Sequence, residues 1–487
     1  MTLILPLAIP LLGAAAVVLL RDRPLARDWT AIMAGLIQIV TVAALLPEVL
    51  EGPTATFTIA TFLPDAPIAL RADALGILLL LTASPLWLLT TVYSIGYLRG
   101  SSASLTRSHA LVAITISATA GVAFSANLLT LYLFYEAMTL VTYPLVTFTG
   151  TDEAAAGGRR YLSYQLGTGI ALFLPAIVLT YTQTGSFAFD PGGIFGAEPT
   201  GFLPILTYLL FLFGIAKAAI LPAHAWLPAA MVAPVPVSAL LHSVAVVNVG
   251  VFTLFRVLID VFGQDAVMSL GLGRLTLIAT SVTIVVASLI ALRLGNLKEI
   301  LAYSTIGQLS YMVLGISLLN EAGLTGGALH LLGHSVSKIT LFFTVGAIAV
   351  ATGATNVKEL RGLGQRVPLL LGVFAIGAAS IVGLPPTIGF VTKYFLFIGV
   401  AEARLWPVLV VLAVSTVLTA TYYLRVVRTS LSPMPQVDDG PSGAAPGRSV
   451  RPVPREMLIP LITTALVTVL LGLVPGPVLA LVRAAVP

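Results

Sequence analysis

Cysteine is absent from the 487 residues, and charge is scarce. Without a thiolate the chain can form no disulfide, hold no cysteine-ligated iron–sulfur cluster and use no cysteine nucleophile, so any electron-transfer centre would have to lie on another chain. Asp, Glu, Lys and Arg together make up 9% of the residues, against about 25% in a soluble domain, which excludes a water-soluble globule. No phosphate-binding glycine loop, HExxH segment or convincing catalytic triad occurs, so hydrolytic and nucleotide-driven functions lack the residues to carry them. No cofactor is expected. The basic excess of five charges is scattered through short loops and forms no patch of the kind that binds nucleic acid.

What remains is apolar: 58% of the residues are hydrophobic and the mean hydropathy is +1.02. Runs long enough to cross about 30 Å of hydrocarbon recur from end to end. Spans are expected at about 2–20, 30–50, 73–98, 109–125, 127–149, 161–184, 202–231, 237–263, 270–293, 299–319, 324–351, 367–403, 406–430 and 456–483. The fold class is therefore an all-α polytopic membrane protein of about fourteen transmembrane helices, the first of them a true span rather than a signal peptide. Seventeen Lys and Arg fall in odd-numbered loops and five on the opposite side, termini included. Basic residues collect on the cytoplasmic side, which places both termini outside.

Two expected spans are too long to be straight. At 1.5 Å per residue, 202–231 and 367–403 would reach roughly 45 to 55 Å. Each carries proline, Pro222 in LPAHAWLP and Pro385–Pro386 in GLPPTIGF, and proline inside a helix removes a donor and clashes with the preceding turn. Both should break within the membrane, which is tolerated where the break is packed by protein or lines a cavity. They are the seventh and twelfth spans, five apart, so units 109–263 and 270–430 enter from opposite sides, each with one broken helix. Such inverted repeats point to a transport pathway; the alternative is a pair of ordinary proline kinks. Residues 1–108 form an N-terminal three-helix region. The Pro- and Gly-rich stretch 431–455 is expected to be a flexible cytoplasmic linker that detaches a C-terminal helix, 456–487, from the body.

A charge at mid-bilayer costs about 2.5 to 3.5 kcal/mol on insertion scales, so each one needs a partner or a wet cavity. The candidates are Glu136, Lys217, His242, His330, His334, Lys338 and Lys393. Glu136, near the middle of its span, and Lys217, one turn before a break, are suited to exchange a proton if their separation changes, or to serve as a static ion pair locking two helices. His330, His334 and Lys338 recur at i, i+4, i+8 and so share one helix face. Histidine titrates near neutral pH and suits a relay. Zinc binding and plain packing are the competing readings of the pair, although no carboxylate or cysteine accompanies them and Lys338 would repel a cation. His242 could bridge the first pair to the stripe, and Lys393 ends the line. His109 and His224 are expected at membrane boundaries. No metal site is expected.

The segments FYEAMTLVTYP, GIAKAAILPAHAWLPAAMVAPVPVSALLHSVAVVNVGVF, KEILAYSTIGQLSYM and GLPPTIGFVTK resemble the antiporter-like subunits shared by Mrp-type multisubunit cation/proton antiporters, respiratory complex I and membrane-bound hydrogenases, over about residues 70–425. The resemblance, nearest to the D-type Mrp subunit, implies inverted repeats and a hydrated mid-membrane axis. Glu136 resembles the family's buried glutamate, Lys217 its partner lysine, Lys338 the central lysine and Lys393 the distal one. Asn248 stands where many members carry lysine, so His242 with water has to fill that gap. The implied function is proton translocation within a cation/proton antiporter in a bacterial-type inner membrane, with proton pumping in a redox-driven complex and a non-conducting scaffold as alternatives. The implied partners are other membrane subunits, protons, sodium and the lipid bilayer, and no nucleic acid.

Overall fold

The computed structural model describes residues 2–63, 66–433 and 450–486. In chain order the helices are α1 (Leu5–Leu19), α2 (Pro24–Ala44) and α3 (Leu46–Glu51), then, after a hairpin, α4 (Ala74–Tyr97), α5 (Ser102–Ala123), α6 (Leu128–Val146), α7 (Asp152–Thr168), α8 (Leu174–Thr184), α9 (Phe202–Gly214), α10 (Trp226–Ala229), α11 (Val235–Ser243) and α12 (Val246–Arg256). They continue as α13 (Gly263–Ser269), α14 (Leu272–Arg293), α15 (Leu297–Ser317), α16 (Glu321–Thr352), α17 (Pro368–Val382), α18 (Ile388–Glu402), α19 (Trp406–Leu431), α20 (Arg455–Leu473) and α21 (Gly476–Ala485). The hairpin pairs β1 (Phe57–Leu63) with β2 (Ala66–Leu70) antiparallel. An all-helical reading missed it, because the period-2 pattern of TFTIATF is short and the hairpin is held from outside: Asn127 Nδ2 donates to Pro67 O at 2.8 Å.

Eleven stretches among the described residues are long and apolar enough to cross a membrane. The expected seventh and twelfth spans are not among them because each is broken. The expected fourth, α5, is long but carries seven Ser and Thr, several of them turned inward; Ser117 Oγ donates to Leu7 O at 2.7 Å. Side-chain caps set several helix starts by satisfying the orphaned first-turn donors. Asp73 accepts from Gly76 N, Asn127 from Thr130 N, Thr151 from Ala154 N and Asn320 from Gly323 N.

Interruptions are more numerous than the two long spans foretold. The span expected at 161–184 contains a π turn, Gly169–Phe173, between α7 and α8, with Pro175 two residues beyond it. That expected at 237–263 breaks at Val244–Ala245, between α11 and α12, and opens again into a π turn at Val257–Phe262. No proline lies within 237–263 to mark these places; wide turns of this kind cluster at functional sites.

Most of the expected linker lies outside the described residues, but the helix after it is not detached. Arg451 N donates to Ala351 O at 2.8 Å, α20 packs on α4, α16, α17 and α18, and Gly472 meets the backbone at Pro386–Thr387, in the break between α17 and α18. The last expected span also ends early, with α21 turning off after Val474–Pro475. At the centre stands α16, packed by α4, α11, α15, α17, α18 and α20. The apolar windows of 235–269 and of α16 are 100% and 89% buried, so His242 and the His330 to Lys338 stripe lie in the best-enclosed part of the molecule.

Candidate functional site

The helix α9 stops at Gly214, and Lys217 sits in a single 3-10 turn, Ala216–Ala218, followed by Ala219 in a left-handed conformation. This irregular backbone packs directly on Gly250 of α12, where any Cβ would collide with Lys217 and Ala218. The fully buried Lys217 ammonium is delivered onto α6: it donates to Thr139 Oγ1 at 2.6 Å and to Tyr135 O at 3.0 Å, and lies 3.3 Å from the Tyr135 ring centroid. Glu136 is the neighbouring residue on α6. Its two carboxylate oxygens are buried and meet no hydrogen-bond partner among the described residues. They lie against Gly169 at the head of the π turn, where a Cβ would run into Oε1. The two residues are thus electrostatic neighbours without being an ion pair. The static lock considered from sequence is not the arrangement seen.

His242 occupies the last turn of α11 with its imidazole between Trp226, 6.3 Å away at 18°, and Phe342, 5.9 Å away at 22°. Both ring nitrogens are buried and unpartnered among the described residues. Asn248 lies just past the break, donating to Ser335 Oγ at 2.7 Å and to Ser243 O at 3.2 Å, so it joins α12 to the histidine-bearing helix.

On α16, His330 is held from both sides, by Thr392 Oγ1 at 2.8 Å and Gln308 Oε1 at 3.0 Å. Both nitrogens are therefore engaged and not arranged around a shared cation. His334, its ring 6.2 Å from that of His330, has two nitrogens unpartnered among the described residues. Lys338 donates to Leu301 O at 3.1 Å and Tyr423 OH at 3.2 Å. Lys393 donates to Val382 O at 3.0 Å, a carbonyl freed where α17 ends, and to Thr416 Oγ1 at 3.4 Å. The intervening Gly383 has φ +93, and a Cβ there would press 2.7 Å from Lys393 Cδ. Glycine meets both demands.

Sequence reasoning missed several residues. Lys298 falls between the expected spans 270–293 and 299–319, yet it lies in the first turn of α15 and donates to Met231 O and, at 2.5 Å, to Ala233 O, at the foot of α11. Lys298 and Gln308 both stand in KEILAYSTIGQLSYM, which was available as a signal. Thr139 stands in FYEAMTLVTYP but reads there as an ordinary helical threonine that bonds its own backbone, and Tyr423 lies in no segment that pointed to it. Arg256, inside the expected span 237–263 but not among the candidates, is buried, pairing with Asp73 at 2.6 Å and Asp260 at 2.7 Å. The i, i+4 spacing in RVLID was its signal. His109, near the start of α5, is buried within the protein, 3.9 Å from Asp28. His224 is half-buried in the turn after the break, its Nδ1 3.2 Å from Pro222 O.

The ammoniums of the buried Lys217, Lys338 and Lys393 and of the half-buried Lys298 share one feature. Each ends on backbone carbonyls, and none is ion-paired with a carboxylate among the described residues. A carbonyl dipole accepts from an ammonium and from a neutral amine alike, whereas losing a proton beside a carboxylate would strand an anion. Such lysines can change charge in place.

Residues 125–419 match the family described as NADH:quinone oxidoreductase/Mrp antiporter, TM. The chain belongs to this family. It is 32% identical over 444 residues to NADH-quinone oxidoreductase subunit N of Desulforudis audaxviator, covering 88% of this chain and 87% of the relative. Against a Na(+)/H(+) antiporter subunit of Alkalihalophilus pseudofirmus it is 32% identical over 353 residues, 68% of this chain but 42% of that longer protein. A chain in the Mrp complex of a Dietzia species has the same fold, with a TM-score of 0.88, 24% identity and coverage of 99% and 96% of the two chains. A chain of an archaeal membrane-bound sulfane sulfur reductase superimposes with a TM-score of 0.84. Family members are multi-pass membrane subunits, and this chain is one of them.

Proposed function

We propose that this chain is the proton-translocating, antiporter-like subunit of a multisubunit complex in a bacterial-type cytoplasmic membrane, exchanging a monovalent cation for protons, with both termini on the outer side. The observation that carries the reading is the series of enclosed ionisable residues: Glu136 and Lys217, then His242, then the α16 stripe of Lys338, His334 and His330, then Lys393, which follows the Thr392 that His330 bonds. Along it Glu136, His242, Ser243, Asn248, Ser310 and His334 hold polar atoms without a protein partner among the described residues. Each orphaned buried polar group costs about 1 to 3 kcal/mol, so water is the natural occupant between them. Hydrogen-bonded water linking groups that can change charge is a route for protons.

In this reading Glu136 and Lys217 take up and release a proton as a pair, His242 passes it across the break at Val244–Ala245 toward Asn248, and the α16 stripe hands it to Lys393. The relatives named as NADH-quinone oxidoreductase subunits favour a second reading, in which the same line serves a redox-driven complex whose electron carriers lie on other chains. The deciding test is Glu136→Gln in the intact complex reconstituted into vesicles. The swap keeps size and removes the titrating group, so proton-coupled transport should be abolished with assembly unchanged; wild-type transport would sink the assignment. Mass spectrometry of the gently solubilised complex separates the two readings by its companion subunits.

A further inference from the structure

The Lys217 ammonium stops at Thr139. Helical threonines elsewhere among the described residues bond the carbonyl four residues back at 2.7 to 3.1 Å, as Thr90, Thr106, Thr142 and Thr147 do. Thr139 instead makes a long bond of 3.3 Å to Tyr135 O while accepting from Lys217 Nζ at 2.6 Å. Glu136 stands three residues earlier on the same helix face, and its carboxylate oxygens are buried with no hydrogen-bond partner among the described residues. A hydroxyl accepts and donates at once, and its hydrogen turns about the Cβ–Oγ1 bond while the oxygen stays in place. The weakly held proton of Thr139 is therefore free to turn from Tyr135 O toward the carboxylate. Gly169 completes the arrangement, since any side chain at the head of the π turn would push Oε1 out of its place.

We propose that the Thr139 hydroxyl is the bridge through which Lys217 and Glu136 exchange a proton, with Gly169 as the berth that positions the carboxylate. The inference rests on the proton-translocating reading of this pair. In the step, an Nζ–H bond of Lys217 breaks as its proton passes to Thr139 Oγ1. In concert the Thr139 O–H bond breaks and its proton joins a Glu136 carboxylate oxygen. Lysine ends neutral, the carboxyl group ends protonated and threonine is regenerated. Glu136 and Lys217 are the proton carriers; Gly169 is a positioning residue.

The experiment compares Thr139→Val, Thr139→Ser, Gly169→Ala and Glu136→Gln in the reconstituted complex, with assembly checked for each. Valine keeps the shape and removes the hydroxyl, and should lower proton-coupled transport about tenfold or more, the scale expected for losing a hydrogen bond to a charged group. Serine restores the hydroxyl and should recover most of that loss. Gly169→Ala should slow transport and shift the infrared carboxyl band assigned to Glu136. Wild-type transport in Thr139→Val, or equal damage from serine and valine, overturns the bridge. An unshifted Glu136 band in Gly169→Ala overturns the berth. If Glu136→Gln also transports normally, the proton-carrying reading itself fails; if it is dead while Thr139→Val is normal, only the bridge falls.

Discussion

The Trp226 ring lies 6.3 Å from the His242 imidazole and nearly parallel to it, while its Nε1 donates at 2.8 Å to Ala216 O, the residue before Lys217. One side chain thus joins the turn that carries Lys217 to the histidine that follows in the line. The connection between the first pair and the central stripe passes through this packed block, where Asn248 supplies an amide that does not titrate near neutral pH.

If protons cross here, His242→Leu should abolish proton flux in reconstituted vesicles, because it removes the ionisable group and replaces it with an apolar one. Asn248→Lys should rescue that variant at least in part by restoring a titrating group beside Ser335. A silent His242→Leu would show that the two halves do not communicate through this point. Damage without rescue would leave His242 important and discredit the exchange of one relay group for the other.

Lys217→Ala should be as damaging to transport as loss of Glu136. It removes the ammonium from the vicinity of the carboxylate and leaves Thr139 Oγ1 without the donor it now receives. Infrared spectroscopy of the Glu136 carboxyl group is the direct check, since losing a neighbouring cation changes its electrostatic environment. An unchanged band would show that the two residues are not partners.

Arg256→Met should destabilise the protein without touching the line of lysines and histidines. Asp73 and Asp260 converge on this guanidinium from separate elements, and removing one partner of a buried ion pair costs about 3 to 5 kcal/mol. A thermal-unfolding midpoint well below wild type is expected. Asp260→Asn, which keeps a hydrogen-bond acceptor beside Arg256, should be milder. Equal midpoints for wild type and Arg256→Met would show that the cluster contributes nothing.

Gly389→Ala should disrupt the break between α17 and α18, because a Cβ there runs into Ser380 O. Backbone has to shift, at a cost of about 1 to 3 kcal/mol, and Lys393, four residues on, should lose its place on Val382 O. Gly372→Ala is the control: nothing lies within 4 Å of its added Cβ, and alanine favours a helix interior by up to about 1 kcal/mol. Protease resistance and transport of the two variants, measured side by side, should diverge; matching values would remove the argument from close packing.

The sequence by itself determined that the chain crosses a membrane many times, that Glu136, Lys217, Lys338 and Lys393 stand inside apolar spans, and where proline interrupts two helices. These are properties of composition and spacing: hydrocarbon penalises every charge, so a charge in the middle of an apolar run stands out. Proline likewise acts on its own turn. The tertiary structure alone decided what each charge touches. The break at Val244–Ala245, the π turn at Val257–Phe262 and the inward placement of Arg256 and His109 follow from side chains packed across helices distant in sequence. So does the seating of Lys217 on Thr139 rather than on Glu136, because a long flexible lysine chooses among acceptors that only the packed helices bring within its reach.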